Sequence, residues 1–534
     1  MRHFNSYGPV NCKKHFCVPR QTLIENARQQ LIGDPDEGGH YFTIWAPRQT
    51  GKTWLMRQIR AEIAKQYPEQ FVVYSCSLGD LRGMSYTPST ESGNTALPKG
   101  LSDVLKTELP GRPKVTDWGA FRELFSKDNG LWKRPLILLI DEVDVTPPAL
   151  LDLLVARFRE MYLNRERHWL HGLALIGVRA ILGIESQRGS PFNIQRSLHV
   201  PNLTKDEVTA LYQQYQDESG QAIAPEVVQT IYDSTRGQPG LVSWFGELLT
   251  EKYNQGTEKR LDMKNWKQVF LFARSREPNN TLINMIAKAK EPGYRDFLMS
   301  LFTASNTPFF FNNPQHNYLY LHGIIEPIPE MIPSGELQDV CRFSSPFVQR
   351  CIYDALSQEI IGFGTPILAL KPLDSLADVF EGTFLNLPAL LERYKDYLIR
   401  LKAQGIDPWL EQPRRKTDLK LAEAVGHFHL YTWLQTAVGK RCVVSPEFPT
   451  GNGKVDLHLR CGDKRGIIEV KSFTDIYQAK SDRKKAAQYA KDLGFETVTM
   501  AIFIPVLEET VLEKLSEQEI IDDVQVTVVA IGWV

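Results

Sequence analysis

Net charge, long apolar runs and cysteines are all scarce in this chain, and each scarcity excludes something. The formal net charge is −1 at pH 7, so the molecule as a whole does not attract nucleic acid electrostatically. Any such contact needs a local basic surface. No stretch approaches the length of a bilayer-spanning helix, which argues against membrane insertion. The opening Met1-Arg2-His3-Phe4-Asn5 has no apolar segment behind a basic start, so no secretory leader is expected. Seven cysteines at scattered positions give no disulfide framework, and Cys12 and Cys17 lack metal-ligand spacing. They read as reduced packing residues, and the expected compartment is the cytoplasm. With 43% apolar and 23% charged residues over 534 positions, the composition is that of an ordinary globular chain of about three to four domains.

What is present begins with a strand-like run, Tyr41-Phe42-Thr43-Ile44-Trp45, and a helix-like run, Trp54-Leu55-Met56-Arg57-Gln58-Ile59. Between them lies Ala46-Pro47-Arg48-Gln49-Thr50-Gly51-Lys52-Thr53. A tight loop closing in Gly-Lys-Thr wraps backbone N–H groups and a helix N-terminus around phosphates. Arg48, Gln49, Thr50 and Gly51 form the cradle, Lys52 adds a point charge, and the Thr53 hydroxyl can hold Mg²⁺. Ala46 stands where a first glycine is usual, and alanine still allows a close turn. The bland alternative is a strand–turn–helix with a solvated lysine.

A nucleotide site also needs carboxylates at the end of a buried strand. Pro135-Leu136-Ile137-Leu138-Leu139-Ile140 followed by Asp141-Glu142 supplies them. The unbroken apolar run suits a central parallel strand. Asp141 would serve the Mg²⁺ shell, and Glu142 would orient the attacking water. A third apolar run, Leu173 to Val178, ends in Arg179, either a γ-phosphate sensor or a surface arginine. Thr204 and Glu207 have capping-box spacing. Arg236, in Thr235-Arg236-Gly237-Gln238-Pro239, is either a lid cation closing onto nucleotide or a helix C-cap turn.

Taken in order, these elements, with Ser190-Pro191-Phe192-Asn193, resemble the archaeo-bacterial AAA-like ATPases close to the STAND and AAA+ families. The resemblance covers about the first 250 residues. It implies ATP hydrolysis, homo-oligomers in which a neighbour's arginine completes the site (Arg165 and Arg167 are candidates), and an N-terminal strand over residues 8–20 that touches adenine. It further implies a core over 1–200, a helical lid over 201–257 and a winged-helix-like domain over 258–358. That last domain carries no dense basic cluster, so packing on the core is favoured over DNA contact. A helical linker is expected over 359–408.

The last segment, 409–534, changes character. Strand-like runs Cys442 to Ser445, Lys454 to Leu459 and Gly466 to Ser472 follow a helical stretch carrying Glu423. Asp456 and Glu469 stand a hairpin's length apart, and Glu469 and Lys471 alternate across Val470 onto one face. Two carboxylates and a lysine on one face suit metal-assisted phosphodiester hydrolysis. The acids and the Val470 carbonyl would hold Mg²⁺ or Mn²⁺, and Lys471 would position water. A mere cross-strand salt bridge is the bland reading.

With the later helix Arg483 to Ala490, these residues resemble the PD-(D/E)XK nuclease superfamily, which implies catalytic Asp456, Glu469 and Lys471 and a supporting Glu423. The superfamily's helical glutamine is displaced, with Lys485 in its place and Gln488 one turn on. Lys480, Arg483, Lys484 and Lys485 form a basic run suited to phosphate contact or to plain solvation.

The expected fold class is therefore a multidomain α/β protein: a parallel-sheet ATPase core, lid, winged helix and restriction-endonuclease-like domain. The expected function is an ATP-controlled, metal-dependent nuclease acting on nucleic acid, DNA ahead of RNA, with further copies of the chain or a partner protein as candidate partners. The resemblance ties such proteins to mobile elements or defence against foreign DNA. The alternative is a STAND-like signalling switch whose last domain binds nucleic acid or protein without cutting.

Overall fold

Unbroken apolar runs decide the first half of the architecture. The structure, a computed structural model, describes residues 1–534 apart from 35–37, 87–95, 129, 179–195, 257–258, 304–306, 332–334, 362–367, 373, 410–418, 448–455, 474 and 534. The chain divides into two compact units, Met1–Thr281 with Leu321–Gly323, and Leu282–Tyr320 with Ile324–Val534.

The first unit runs α1 (Gln21–Ile32), β1 (Tyr41–Trp45), α2 (Lys52–Gln66), β2 (Val72–Ser77), α3 (Lys99–Glu108), α4 (Trp118–Glu123), β3 (Leu136–Asp141), α5 (Pro148–Leu163), β4 (Leu170–Gly177) and β5 (Arg196–His199). All five strands are parallel, in the order β2-β3-β4-β1-β5. Successive side chains of a strand point to opposite faces, and β3 is buried along its whole length. Leu136, Leu138 and Ile140 join the core under α3, α4 and α5, while Ile137 and Leu139 join the one under α1 and α2. Each such side chain contributes about 1.5–3 kcal/mol by leaving water. Helices α6 (Lys205–Ser219), α7 (Pro225–Thr235), α8 (Pro239–Gly246) and α9 (Met263–Ser275) follow. Thr204 and Glu207 close the capping box that opens α6.

The first twenty residues form no strand, contrary to expectation; a single bridge joins His3 to His15. Side chains hold this segment instead. Arg2 pairs with Glu218, Phe4 packs against Phe16, Tyr212 and Tyr215, and the Ser6 hydroxyl donates to Glu247. The expectation of reduced cysteines is also corrected. A turn in which Lys14 and His15 donate to the Asn11 carbonyl brings Cys12 to Cys17, and they form a disulfide. A second disulfide joins Cys442 to Cys461.

The second unit opens with α10 (Asn280–Ala289, whose first two residues belong to the first unit), α11 (Pro292–Thr303) and α12 (Pro314–Leu321). The antiparallel hairpin β6 (Ile325–Met331) and β7 (Leu337–Phe343) comes next, then α13 (Pro346–Ile361), α14 (Ala377–Phe380), α15 (Leu387–Ala403) and α16 (Leu419–Val438). The rest is β8 (Val443–Glu447), β9 (Asp456–Cys461), β10 (Lys464–Ser472), α17 (Ile476–Asp492), β11 (Thr497–Ile504), α18 (Glu509–Leu515), β12 (Gln518–Ile521) and β13 (Val524–Gly532). Its six-stranded sheet has the order β12-β13-β11-β10-β9-β8. β8, β9 and β10 are antiparallel neighbours, whereas β10 and β11 are parallel and joined through α17. The expected linker over 359–408 is no bridge. α15 buries Leu387, Leu390, Leu391, Tyr394, Leu398 and Leu401 and packs on β13 and β11, because its apolar stripe demands a covering surface. α11 and α13 likewise pack on α16. No described helix is long and apolar enough to cross a membrane.

α16 carries a buried histidine, His429, whose Nδ1 hydrogen-bonds the Tyr394 hydroxyl at 2.7 Å. Burial lowers its pKa from 6.5 to about 4. The neutral form is the one the fold accepts, so stability is full above the unfolded-state pKa and falls as pH drops from about 6.5 toward 4. Chemical denaturation should show a loss of about 2 kcal/mol between pH 7 and pH 5. His429→Leu should flatten that dependence; an equal pH slope in both proteins would contradict the assignment.

Candidate nucleotide site and a second acidic cluster

The loop after β1 bends sharply because two residues take left-handed backbone, Gln49 at φ 60° and Gly51 at φ 89°. Gly51 is the N-cap of α2, so the next N–H groups point out of the helix end. Replacing it by an L-residue costs about 1–2 kcal/mol of strain. Thr50 Oγ1 donates to the Pro47 carbonyl at 2.9 Å and stiffens the turn. Lys52 folds back to donate to the carbonyls of Ala46 and Pro47 at 2.8 and 2.7 Å. Burial lowers its pKa to about 8, against the pull of Asp144 and Asp141. Arg48 is exposed.

The end of β3 meets this loop. Thr53 Oγ1 donates to Asp141 Oδ2 at 2.7 Å, and Asp141 Oδ1 accepts from the Glu142 N–H at 2.9 Å. Burial raises the Asp141 pKa, and the Thr53 hydrogen bond opposes that rise. Glu142 also has left-handed backbone, at φ 58°. Its carboxylate accepts from Ser77 Oγ at 2.9 Å and from Arg82 at 3.2 Å. Gly79 makes room, since a Cβ there would lie 2.1 Å from Glu142 Oε2.

A cleft of about 610 Å³ is lined by Gly8 to Val10, Gln49 to Trp54, Arg57, Arg60, Ser75 to Ser77, Glu108, Asp141 and Glu142. That volume suits a nucleotide-sized ligand. Hydroxyl and carboxylate oxygens of Thr53 and Asp141 within hydrogen-bond distance are the hard donors Mg²⁺ takes. Gly240 of α8 lies against Gln49, where a Cβ would come within 2.4 Å of its Oε1.

Arg236 is the left-handed C-cap of α7, exposed and not among the cleft-lining residues. Arg179 and the Ser190 to Asn193 element lie outside the described residues. Arg165 stacks over Tyr162 and donates to the Gly39 carbonyl, so it is a packing residue; Arg167 is exposed. Sequence reasoning missed Ser77, Arg82, Arg57 and Arg60. None sits in a motif, and only the parallel alignment of β2 with β3 brings Ser77 beside Asp141.

In the second unit, Glu469 and Lys471 of β10 are 3% and 7% exposed. Lys471 Nζ lies 2.7 Å from Glu469 Oε1 and donates to the Val470 carbonyl at 2.9 Å. The carbonyl expected as a metal ligand therefore already accepts from the lysine. Glu423 of α16 accepts from the Ser472 N–H at 3.0 Å, next to the same strand end. The β9–β10 register runs to Leu457 opposite Ile468, which makes Asp456 and Glu469 the next pair of positions. The Asp456 side chain lies outside the described residues, and among those described no three acidic, His or Cys groups gather as a metal site. Glu469 and Glu423 are hard oxygen donors of the kind Mg²⁺ or Mn²⁺ accepts.

No protein family and no curated protein matches the sequence. Among solved structures, the chain is similar to a Walker-type ATPase of Pyrococcus abyssi, at 15% identity and TM-score 0.45, over 65% of this chain and 99% of that one. It is also similar to Cdc6p of Pyrobaculum aerophilum, at 13% identity and TM-score 0.35, over 66% and 98%. A third is the RuvB Holliday junction branch migration motor of Thermotoga maritima, at 14% identity and TM-score 0.31, over 60% and 91%. At these values the functional reading rests on this chain's own residues.

Two variants test the first site. Lys52→Ala should weaken ATP binding at least about tenfold, because a charge-assisted phosphate contact is lost. Glu142→Gln should keep binding and lose turnover. Calorimetry and phosphate release measure the two, and unaltered affinity in the first variant or unaltered turnover in the second would contradict the roles given.

Proposed function

We propose that the protein hydrolyses ATP in the cleft after β1 and that nucleotide state controls cutting of nucleic acid in the second unit. The observation that carries the first half is the Thr53–Asp141 contact at 2.7 Å. It joins a left-handed glycine-lysine-threonine loop to a buried strand ending in two carboxylates. Thr53 and Asp141 would hold Mg²⁺, which supplies charge neutralisation at the phosphates. Lys52 leaves its two carbonyl partners for the triphosphate and regains full charge there. Glu142 orients and polarises the attacking water once its carboxylate is released from Ser77 and Arg82.

Support for the second half is topological. A helix, three antiparallel strands, a helix and a parallel strand (α16 to β11) put Glu423, Glu469 and Lys471 at one strand end, with the Asp456 position alongside. Asp456 and Glu469 would hold Mg²⁺ or Mn²⁺ to neutralise charge on the scissile phosphate. Lys471, already buried beside Glu469, positions or deprotonates the attacking water. DNA as substrate and a protein partner are further parts of this proposal, as are homo-oligomers and a part in defence against foreign DNA or in mobile-element biology, the last two drawn from the sequence resemblance. One observation favours the switch without cutting: the Lys471 ammonium already satisfies both Glu469 and the Val470 carbonyl.

The deciding assay incubates the purified chain with single- and double-stranded DNA and RNA, Mg²⁺ or Mn²⁺, with and without ATP. The proposal expects cleavage that Asp456→Ala abolishes and that Lys52→Ala reduces by tenfold or more. Cleavage unchanged by Asp456→Ala removes the cutting site, and cleavage unchanged by Lys52→Ala removes ATP control.

A further inference from the structure

Helix α17 has one buried and one exposed side. Asp482, Arg483, Ala486, Ala487 and Ala490 are buried, the alanines in the core with Val498, Met500 and Val526 of β11 and β13. Tyr477, Lys480, Lys484 and Gln488 are exposed, and their spacing of three, four and four residues places them in one stripe along the opposite side. The basic run legible in the sequence is thereby divided. Arg483 is 7% exposed and ion-paired with Glu517 and Glu519, and Lys485 lies 3.8 Å from Asp482. Lys480 and Lys484 make no ion pair among the described residues.

Tyr477 is 87% exposed, and among the described residues its hydroxyl makes no hydrogen bond and its ring meets no other ring. A large aromatic so placed does nothing for the core. Its position on the chain is suggestive of another use: α17 opens at Ile476, directly after β10 ends at Ser472. Tyr477 therefore stands six residues beyond Lys471, within about 20 Å of chain reach. From Tyr477 to Lys484 is two helical turns, about 10 Å.

We propose that this stripe is a track for unpaired nucleic acid. Tyr477 stacks on one base near the cutting site, and Lys480 and Lys484 meet successive phosphates. An aromatic platform beside spaced lysines reads base faces, which a continuous duplex keeps stacked. The substrate class is thus a single strand or a frayed end rather than intact duplex. The purpose of the track rests on the cutting site proposed above, but binding to it does not require cutting.

The test uses the full chain in EDTA, where metal-dependent cleavage is silent. Fluorescence anisotropy compares a mixed-sequence labelled 20-nucleotide DNA strand with its duplex. Wild type should prefer the single strand. Tyr477→Ala should weaken single-strand binding about 5- to 100-fold, the range of one lost base–aromatic stack, and leave duplex binding unchanged. Tyr477→Phe should bind as wild type. Lys480→Ala with Lys484→Ala should lower the salt dependence of binding. Equal binding of the single strand by wild type and Tyr477→Ala, or no binding by wild type, overturns the track. Tyr477-dependent binding without cleavage in Mg²⁺ overturns the cutting site and leaves the track. Cleavage with Tyr477-independent binding does the reverse.

Discussion

One hydroxyl–carboxylate contact organises the first unit. Thr53 belongs to the first turn of α2 and Asp141 to the end of β3, two elements far apart in sequence. In the sheet their strands are not even neighbours, because β4 lies between β1 and β3. The loop and the paired carboxylates nonetheless meet, through the Thr53–Asp141 hydrogen bond at 2.7 Å. Asp141 has little water around it, and an unpaired buried carboxylate is costly. Its two oxygens are accordingly given to Thr53 and to the Glu142 backbone.

The same cost shapes the second unit. Glu469 and Lys471 are both buried, and each makes the other tolerable. Removing one partner leaves a desolvated charge and is far more damaging than losing a surface pair. By contrast, the Arg82–Glu142 pair is exposed enough to be worth about 1 kcal/mol or less, which makes it easy to release. The two acidic sites thus differ in kind, one held by hydrogen bonds and one by a compensating cation.

Local periodicity made β1, β3, β4 and α17 legible, and the capping box of α6 was plain from two residues. The loop between β1 and α2 was legible because its residues are written in consecutive positions. Ser77 and Arg82 were not, since their nearness to Glu142 comes from strand pairing and a glycine that leaves room. The Cys12–Cys17 and Cys442–Cys461 pairs were missed because spacing alone does not define connectivity. Arg483 looked like one more solvated cation, as a run of Lys and Arg does not reveal which member turns inward. α15 reads as a connector in the sequence because the strands it covers, β11 and β13, come well after it in the chain.

The opening segment has a mechanical implication. It is fastened to α6 and the turn after α8 through Arg2, Phe4 and Ser6. Gly8, Pro9 and Val10 form a wall of the cleft, and Cys12 accepts from the Trp54 indole, two residues beyond Lys52. Anchored at both ends, this strap ties α6 and the residues after α8 to that wall. A hinge that moved α6 against the sheet would therefore move that wall of the cleft with it.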